Sequence, residues 1–213
     1  MRLFLPVALL AAAAPAAAAD AVAIPPFEAV ELRNGGEVLI SHGPAHRVRF
    51  VSGDRRSADV GVRDGRLVID NCARRCADGH STRVEIVMPR LREARVEGGG
   101  TIRVLAGFPG QETVAAEVSN GGTVDIRRLG AGRVSAAVAQ GGRILTRPGE
   151  RLDASVSDGG AVTYWGDPAV MRSIRGGGVV ARGTAADARR PLAGAPSRPP
   201  LPPRLPRLTN ALD

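Results

Sequence analysis

The chain contains no lysine, and every basic side chain in it is arginine. Aromatic residues are scarce: one Trp, one Tyr and four Phe in 213 residues. That leaves too few flat rings for a surface that stacks bases or sugars. There are two cysteines, which excludes both a disulfide-dense scaffold and a cysteine-rich metal site. The only sustained apolar run lies at the N-terminus and is broken by Pro6 and Pro15, so no segment is long enough to cross a bilayer as a helix. No Asp recurs at a fixed offset, which argues against a calcium-binding repeat.

The formal charge is +8 and unevenly placed. Arg2 contributes +1 and residues 182–213 contribute +4, leaving +3 for residues 20–181. The body is therefore close to balanced and has no basic stripe of the kind nucleic-acid binding needs. The first residues combine Arg2, a short apolar run and an Ala17-Ala18-Ala19 ending, which reads as a cleavable secretory signal over residues 1–19. No Cys follows that run, so a lipid anchor is not expected. The mature protein is expected outside the cytoplasm, in the periplasm or at the surface of a bacterium, and not membrane-spanning.

The richest signal is a repeated Gly-Gly. The pairs Gly99-Gly100, Gly121-Gly122, Gly141-Gly142, Gly159-Gly160 and Gly177-Gly178 are separated by 22, 20, 18 and 18 residues. Three residues before each pair stand Val96, Val118, Val138, Val156 and Ile174, and three after stand Ile102, Val124, Ile144, Val162 and Val180. All ten are β-branched and apolar, the class that fits a pleated, half-buried surface. Five before the pair stand Ala94, Ala116, Ala136 and Ala154, then Arg172. Period-two alternation on both sides of a Gly-Gly means strand, tight corner, strand. Glycine suits the corner because positive φ is cheap for it alone. Gly35-Gly36 is an earlier copy, flanked by Leu32 and Val38 and separated from the others by a longer insertion.

An antiparallel meander of hairpins is compatible with these corners. Equivalent residues at constant offsets favour coils laid in parallel on one another. The expected fold is therefore all-β: a parallel, right-handed β-helix-like solenoid of short coils with Gly-Gly corners. Five coils would rise ~24 Å at about 4.8 Å each. The alanine row implies a narrow interior. In such a stack Arg95 would lie beside Glu117 and Arg103 beside Asp125, each an ion pair between neighbouring coils.

Cys72 and Cys76 are separated by three residues in a loop between strand-like segments. In an exported protein they are expected to form a disulfide that pins this connection. His80 follows at the same spacing, so a zinc site and free thiols are the alternatives. His42 and His46 flank Gly43-Pro44 and read as solvated turn residues. From Pro191 the chain carries seven prolines in 23 residues, which favours an extended, solvated Pro/Arg-rich tail over residues 184–213.

Several segments together resemble the DUF2807 family, the auto-transporter adhesin head or GIN domain. They are Phe27-Glu28-Ala29-Val30-Glu31-Leu32 with Asn34-Gly35-Gly36, Asp64-Gly65-Arg66-Leu67-Val68-Ile69, and Val84-Glu85-Ile86-Val87-Met88-Pro89 with Leu91. The x-Gly-Gly units such as Val96-Glu97-Gly98-Gly99-Gly100 complete the pattern. The resemblance covers residues 27–183, after a linker at 20–26, and implies a β-solenoid of the bacterial envelope. It supplies no catalytic motif, and neither the cysteine loop nor the tail belongs to its pattern. The chain has no amphipathic barrel segment with which to supply an outer-membrane translocator.

Three functions fit. The favoured one is a non-enzymatic exported envelope module that binds a polymer or protein, or serves as a surface scaffold, with no cofactor, metal or catalytic residue. A polysaccharide-active lyase or hydrolase needs paired carboxylates on adjacent coils. None stack in the rows through Glu117, Asp125 or Asp158. A self-associating structural element is the third, because the ends of a solenoid expose strand edges.

Overall fold

In the computed structural model, which describes residues 24–53, 58–72 and 82–185, the chain is all-β. Among the described residues it forms sixteen strands: β1 (Ala29–Arg33), β2 (Glu37–His42), β3 (Arg47–Ser52), β4 (Asp59–Arg63), β5 (Arg66–Asp70), β6 (Arg83–Met88), β7 (Glu93–Glu97), β8 (Thr101–Val104), β9 (Gln111–Ser119), β10 (Thr123–Asp125), β11 (Ala131–Ala139), β12 (Arg143–Thr146), β13 (Pro148–Ser157), β14 (Ala161–Tyr164), β15 (Ala169–Arg175) and β16 (Val179–Arg182). All lie in one unit that ends at Gly183. The expected signal and nearly all of the expected tail fall outside the described residues.

The strands form two eight-stranded sheets. The first runs β15-β13-β11-β9-β7-β1-β5-β4 and the second β16-β14-β12-β10-β8-β2-β6-β3. Seven successive strand pairs (β1–β2, β5–β6, β7–β8 and onward to β15–β16) each place one strand in either sheet, and like strands pair in parallel. The antiparallel meander is thereby overturned for this part of the chain. A Gly-Gly corner turns the chain from one sheet to the other, where a hairpin would return it to the same sheet.

Chain order and spatial order differ at one end. β1 is flanked by β5 and β7, and β2 by β6 and β8. The first strand pair is thus internal to the stack, and the insertion after it folds back to build the end. β3 and β4 run antiparallel to β6 and β5 and close that end as a reversed pair. The reversal is made by Asp64-Gly65, with φ of 52° and 71°, between the paired Arg63 and Arg66. Two consecutive positive φ values match a two-residue type I′ hairpin.

The interior follows the rows read from sequence. Leu32, Val96, Val118, Val138 and Val156 occupy one register row and are buried. Ala94, Ala116, Ala136 and Ala154 occupy the next inward row and are also buried. The narrow interior is confined to the stretch from β7 to β13, since the same row carries Leu67 and Val30 on β5 and β1. There the larger core includes Phe27, Met88 and Leu91. In the other sheet Val84, Val38, Ile102, Val124, Ile144, Val162 and Val180 form the facing row.

The two glycines of a corner answer to different constraints. A Cβ added at Gly122 (φ +100°) would fall 2.6 Å from Val96 Cγ1 and 2.9 Å from the Gly100 carbonyl oxygen of the preceding corner. Its neighbour Gly121 (φ +87°) faces open space, so only its backbone angle demands glycine.

Candidate functional site

The outward side of the first sheet is a ladder of charges around Glu31. β1 lies between β5 and β7, so Arg66, Ala29 and Glu93 form one outward row. Alanine in the middle lets Arg66 reach across β1, where its Nη2 donates to both Glu93 oxygens at 2.7 Å. Nη1 of Arg66 donates to Glu31 Oε2 at 3.3 Å, and Arg33 Nε donates to Glu31 Oε1 at 2.6 Å. Glu31 is 2% exposed although its strand faces outward, because these side chains lie over it. Hydrogen bonding to Glu93 chiefly, with the charges of Glu93 and Glu31, raises the Arg66 guanidinium above its ordinary value.

Of the two ion pairs expected between neighbouring coils, one forms: Arg95 Nη1 lies 3.2 Å from Glu117 Oε2. The other does not. Arg103 and Asp125 share a register row, yet Arg103 Nη1 sits 3.7 Å from Glu37 Oε1 and Asp125 belongs to Arg127. Arg127, two residues on in the turn after β10, offers Nε to Oδ1 at 2.9 Å and Nη2 to Oδ2 at 2.7 Å. That planar fork outcompetes a single contact from the next strand. The Arg127 guanidinium also lies 5.2 Å from the Trp165 ring centroid, a cation–π distance.

The arginine contacts extend over nearly all the acids. Among the described residues every Asp and Glu except Asp64, Asp70 and Asp158 lies within ion-pair distance of an arginine. Asp70 instead accepts from Asn34 Nδ2 and from the Cys72 N–H, both at 2.9 Å. Carboxylates held in this way stabilise the ladder and are poorly placed as proton donors or nucleophiles. Among the described residues no three His, Cys, Asp or Glu side chains come together as a metal-binding group. In contrast Arg47, Arg90, Arg128, Arg143, Arg147, Arg172 and Arg175 are exposed and have no acidic neighbour within 4.0 Å among the described residues. Five of these seven lie beyond residue 127, toward the β15–β16 end.

At that end, among the described residues, β15 pairs only with β13 and β16 only with β14. Ile174 continues the buried valine row but is 43% exposed, against 1% for Val156 one strand below. Met171 and Val179 are also exposed.

The family model described as "Putative auto-transporter adhesin, head GIN domain" (DUF2807) matches residues 26–111 and 110–168. The chain belongs to this family. Comparison with curated proteins finds no match. Similar solved structures include a putative adhesin from Bacteroides fragilis, 17% identical over 76% of this chain and 94% of that one, at a TM-score of 0.42. A putative adhesin from Parabacteroides merdae is 13% identical over 78% of this chain and 95% of its own, at 0.39. A putative lipid binding protein from Parabacteroides distasonis is 14% identical over 78% and 96%, at 0.35.

Within this GIN chain the sequence-selected residues are dispersed. Gly35, Gly99, Gly121, Gly141, Gly159 and Gly177 have φ between 84° and 92° at the outer point of each corner. Gly36, Gly100, Gly122, Gly142, Gly160 and Gly178 follow them, with φ between 92° and 120°. Cys72 ends the turn after β5, while Cys76 and His80 lie outside the described residues. His46 is not the solvated turn residue expected. Its Nε2 donates to the Phe27 carbonyl at 2.8 Å and its ring packs 4.8 Å from the Phe27 ring. His42 ends β2, exposed, with its ring edge-on to Phe108 at 5.4 Å. The Arg66 bridge and the Asp64-Gly65 reversal escaped the sequence reading. An Asp-Gly between alternating apolar segments was the available signal for the second, whereas nothing local marked the first.

Proposed function

We propose that this GIN-family chain is a non-enzymatic, exported module of the bacterial envelope, a right-handed parallel β-solenoid that binds a polymer or protein partner. The observation that carries the reading is the division of charge on the described surface. All but three of its described acids lie beside an arginine, while seven exposed arginines have no acid beside them among the described residues, and five of those seven lie toward one end. A surface of that kind suits recognition of an anionic partner better than acid–base chemistry. The family description as an adhesin head agrees with an adhesive or scaffolding role in the periplasm or at the cell surface.

The test is to incubate the mature protein with purified cell-wall and acidic envelope polysaccharides and to measure both binding and product release. Salt-sensitive binding without product release is expected. Release of oligosaccharide that stops when one acid is replaced by its amide would overturn the reading in favour of a lyase or hydrolase.

A further inference from the structure

We propose that the corner Asn120-Gly121 is a self-modification site, at which the chain converts Asn120 to aspartate and isoaspartate with loss of ammonia. This chemistry is separate from the binding role and does not depend on it.

The residues that precede each Gly-Gly form one column down the side of the stack. The N–H of Asn34 donates to the Glu97 carbonyl, that of Gly98 to Ser119, that of Asn120 to Ala139, that of Gln140 to Ser157 and that of Asp158 to Arg175. Each acceptor is the last residue of the next strand in the first sheet. The column therefore reads Asn34, Gly98, Asn120, Gln140, Asp158, Gly176. Both asparagines in it are followed by glycine. Asparagine is a thermolabile residue, and a following glycine leaves its nitrogen unshielded by any side chain.

The fold holds the two asparagines differently. Asn34 Nδ2 donates to Asp70 Oδ1 at 2.9 Å, which ties down the side chain and sets a carboxylate beside the carbon to be attacked. Among the described residues the exposed Asn120 side chain has no hydrogen-bond partner, and the Gly121 N–H has none. A Cβ at Gly121 would meet nothing within 4 Å, so the space beside that nitrogen is open. The related Asp158-Gly159 corner is engaged instead, its Gly159 N–H donating to the Gly177 carbonyl at 3.3 Å. Of these three corners, Asn120-Gly121 leaves both reacting groups unengaged. It also lies mid-stack, with described corners on either side of it.

The step balances without an oxidant. The Gly121 nitrogen loses its proton to solvent base and bonds to Asn120 Cγ. The Cγ–Nδ2 bond breaks, and ammonia leaves with a proton from water. Water then opens the five-membered succinimide. Opening at Cγ gives aspartate, and opening at the main-chain carbonyl gives isoaspartate, whose chain runs on through Cβ and Cγ. One water is consumed and one ammonia released.

The two products fit the corner differently. Asp158 already holds a carboxylate in this column at φ 55°, against 56° for Asn120. Isoaspartate lengthens the main chain by one atom just before Gly122. There is no slack there, since even a Cβ at Gly122 would lie 2.6 Å from Val96 Cγ1. The aspartate form keeps the corner, and the isoaspartate form displaces it.

The experiment ages the full mature chain in mildly alkaline buffer, folded and in urea. Conversion at each Asn-Gly is followed by peptide mass spectrometry and by isoaspartyl methyl transfer. Relative to their ratio in urea, Asn120 is expected to convert about fivefold faster than Asn34 in the folded chain, the factor for one hydrogen bond of ~1 kcal/mol. Asp70→Ala should bring the Asn34 rate up toward that of Asn120. Asn120→Asp should unfold at the wild-type urea midpoint, and the isoaspartate fraction at a lower one. A folded chain that does not favour Asn120, an unmoved Asn34 rate in folded Asp70→Ala, or an isoaspartate fraction as stable as Asn120→Asp would each overturn the proposal. The folded-to-unfolded ratio is read in the wild-type chain, so it decides even where Asp70→Ala fails to fold.

Discussion

Arg66 on β5 and Glu93 on β7 form a bidentate ion pair across the intervening strand β1, with both Glu93 oxygens 2.7 Å from Arg66 Nη2. The pair clasps the one strand pair whose place in the stack departs from chain order. It also provides one of the two guanidinium groups over the nearly buried Glu31.

Replacing Arg66 by Ala therefore removes a cross-strand tie and leaves Glu31 short of a partner in a desolvated place. We expect a loss of about 2–3 kcal/mol in urea unfolding. Arg66→Lys should recover less than half of it, because a single ammonium nitrogen cannot take the places of Nη2 at Glu93 and Nη1 at Glu31 together. Full recovery by lysine would show that charge alone, without the second nitrogen, suffices.

The corners separate two costs that look alike in sequence. Gly121→Ala meets no atom and must only hold a positive φ, so it should cost about 1 kcal/mol. Gly122→Ala adds a clash with Val96 and the Gly100 carbonyl to the same backbone strain, and about 3 kcal/mol is expected. Chemical denaturation of the two variants side by side checks this, and equal losses would mean that the corner relaxes freely.

Trp165 is the only tryptophan, so its emission reports one place. Arg127→Ala removes the cation beside the ring and strands Asp125, which is 5% exposed. A loss of about 3 kcal/mol and a shift in Trp165 emission are expected together. Asp125→Asn in the same background should restore much of the stability, since it removes the buried charge that was left unpaired.

The Arg151–Asp153 pair gives a pH signature. A hydrogen bond from Arg151 holds the Asp153 carboxyl below its ordinary value. The contribution of the pair is therefore complete above the unfolded carboxylate value of about 3.9 and fades as pH falls through the lower folded value. Carbon-13 titration of the Asp153 carboxyl should move its midpoint upward in Arg151→Ala. An unmoved midpoint would sink the assignment.

The strand–corner–strand unit was readable because its causes are local. Val96, Val118, Val138 and Val156 recur at a fixed distance before glycines that no other residue can replace cheaply, and they fall in one register row. The alanine row was readable for the same reason. The pairing of Arg103 with Asp125 was misread because the row was right but Arg127 competed from the turn two residues further on. A periodicity names neighbours and does not rank partners. His46 was misread because its partner, the Phe27 carbonyl, is remote in sequence.

By itself the sequence determined the two-sheet cross-section of this protein: β-branched rows, alanine where the walls approach, and positive-φ corners. Steric rules acting within a few residues suffice for all three. Only the tertiary structure decided that the first strand pair lies inside the stack, that β3 and β4 reverse to close one end, and that Arg172 falls on the last described strand of its sheet. Those outcomes depend on which free edge a later strand finds, and the Arg66–Glu93 clasp over β1 exists only once β5 and β7 have paired on either side of it.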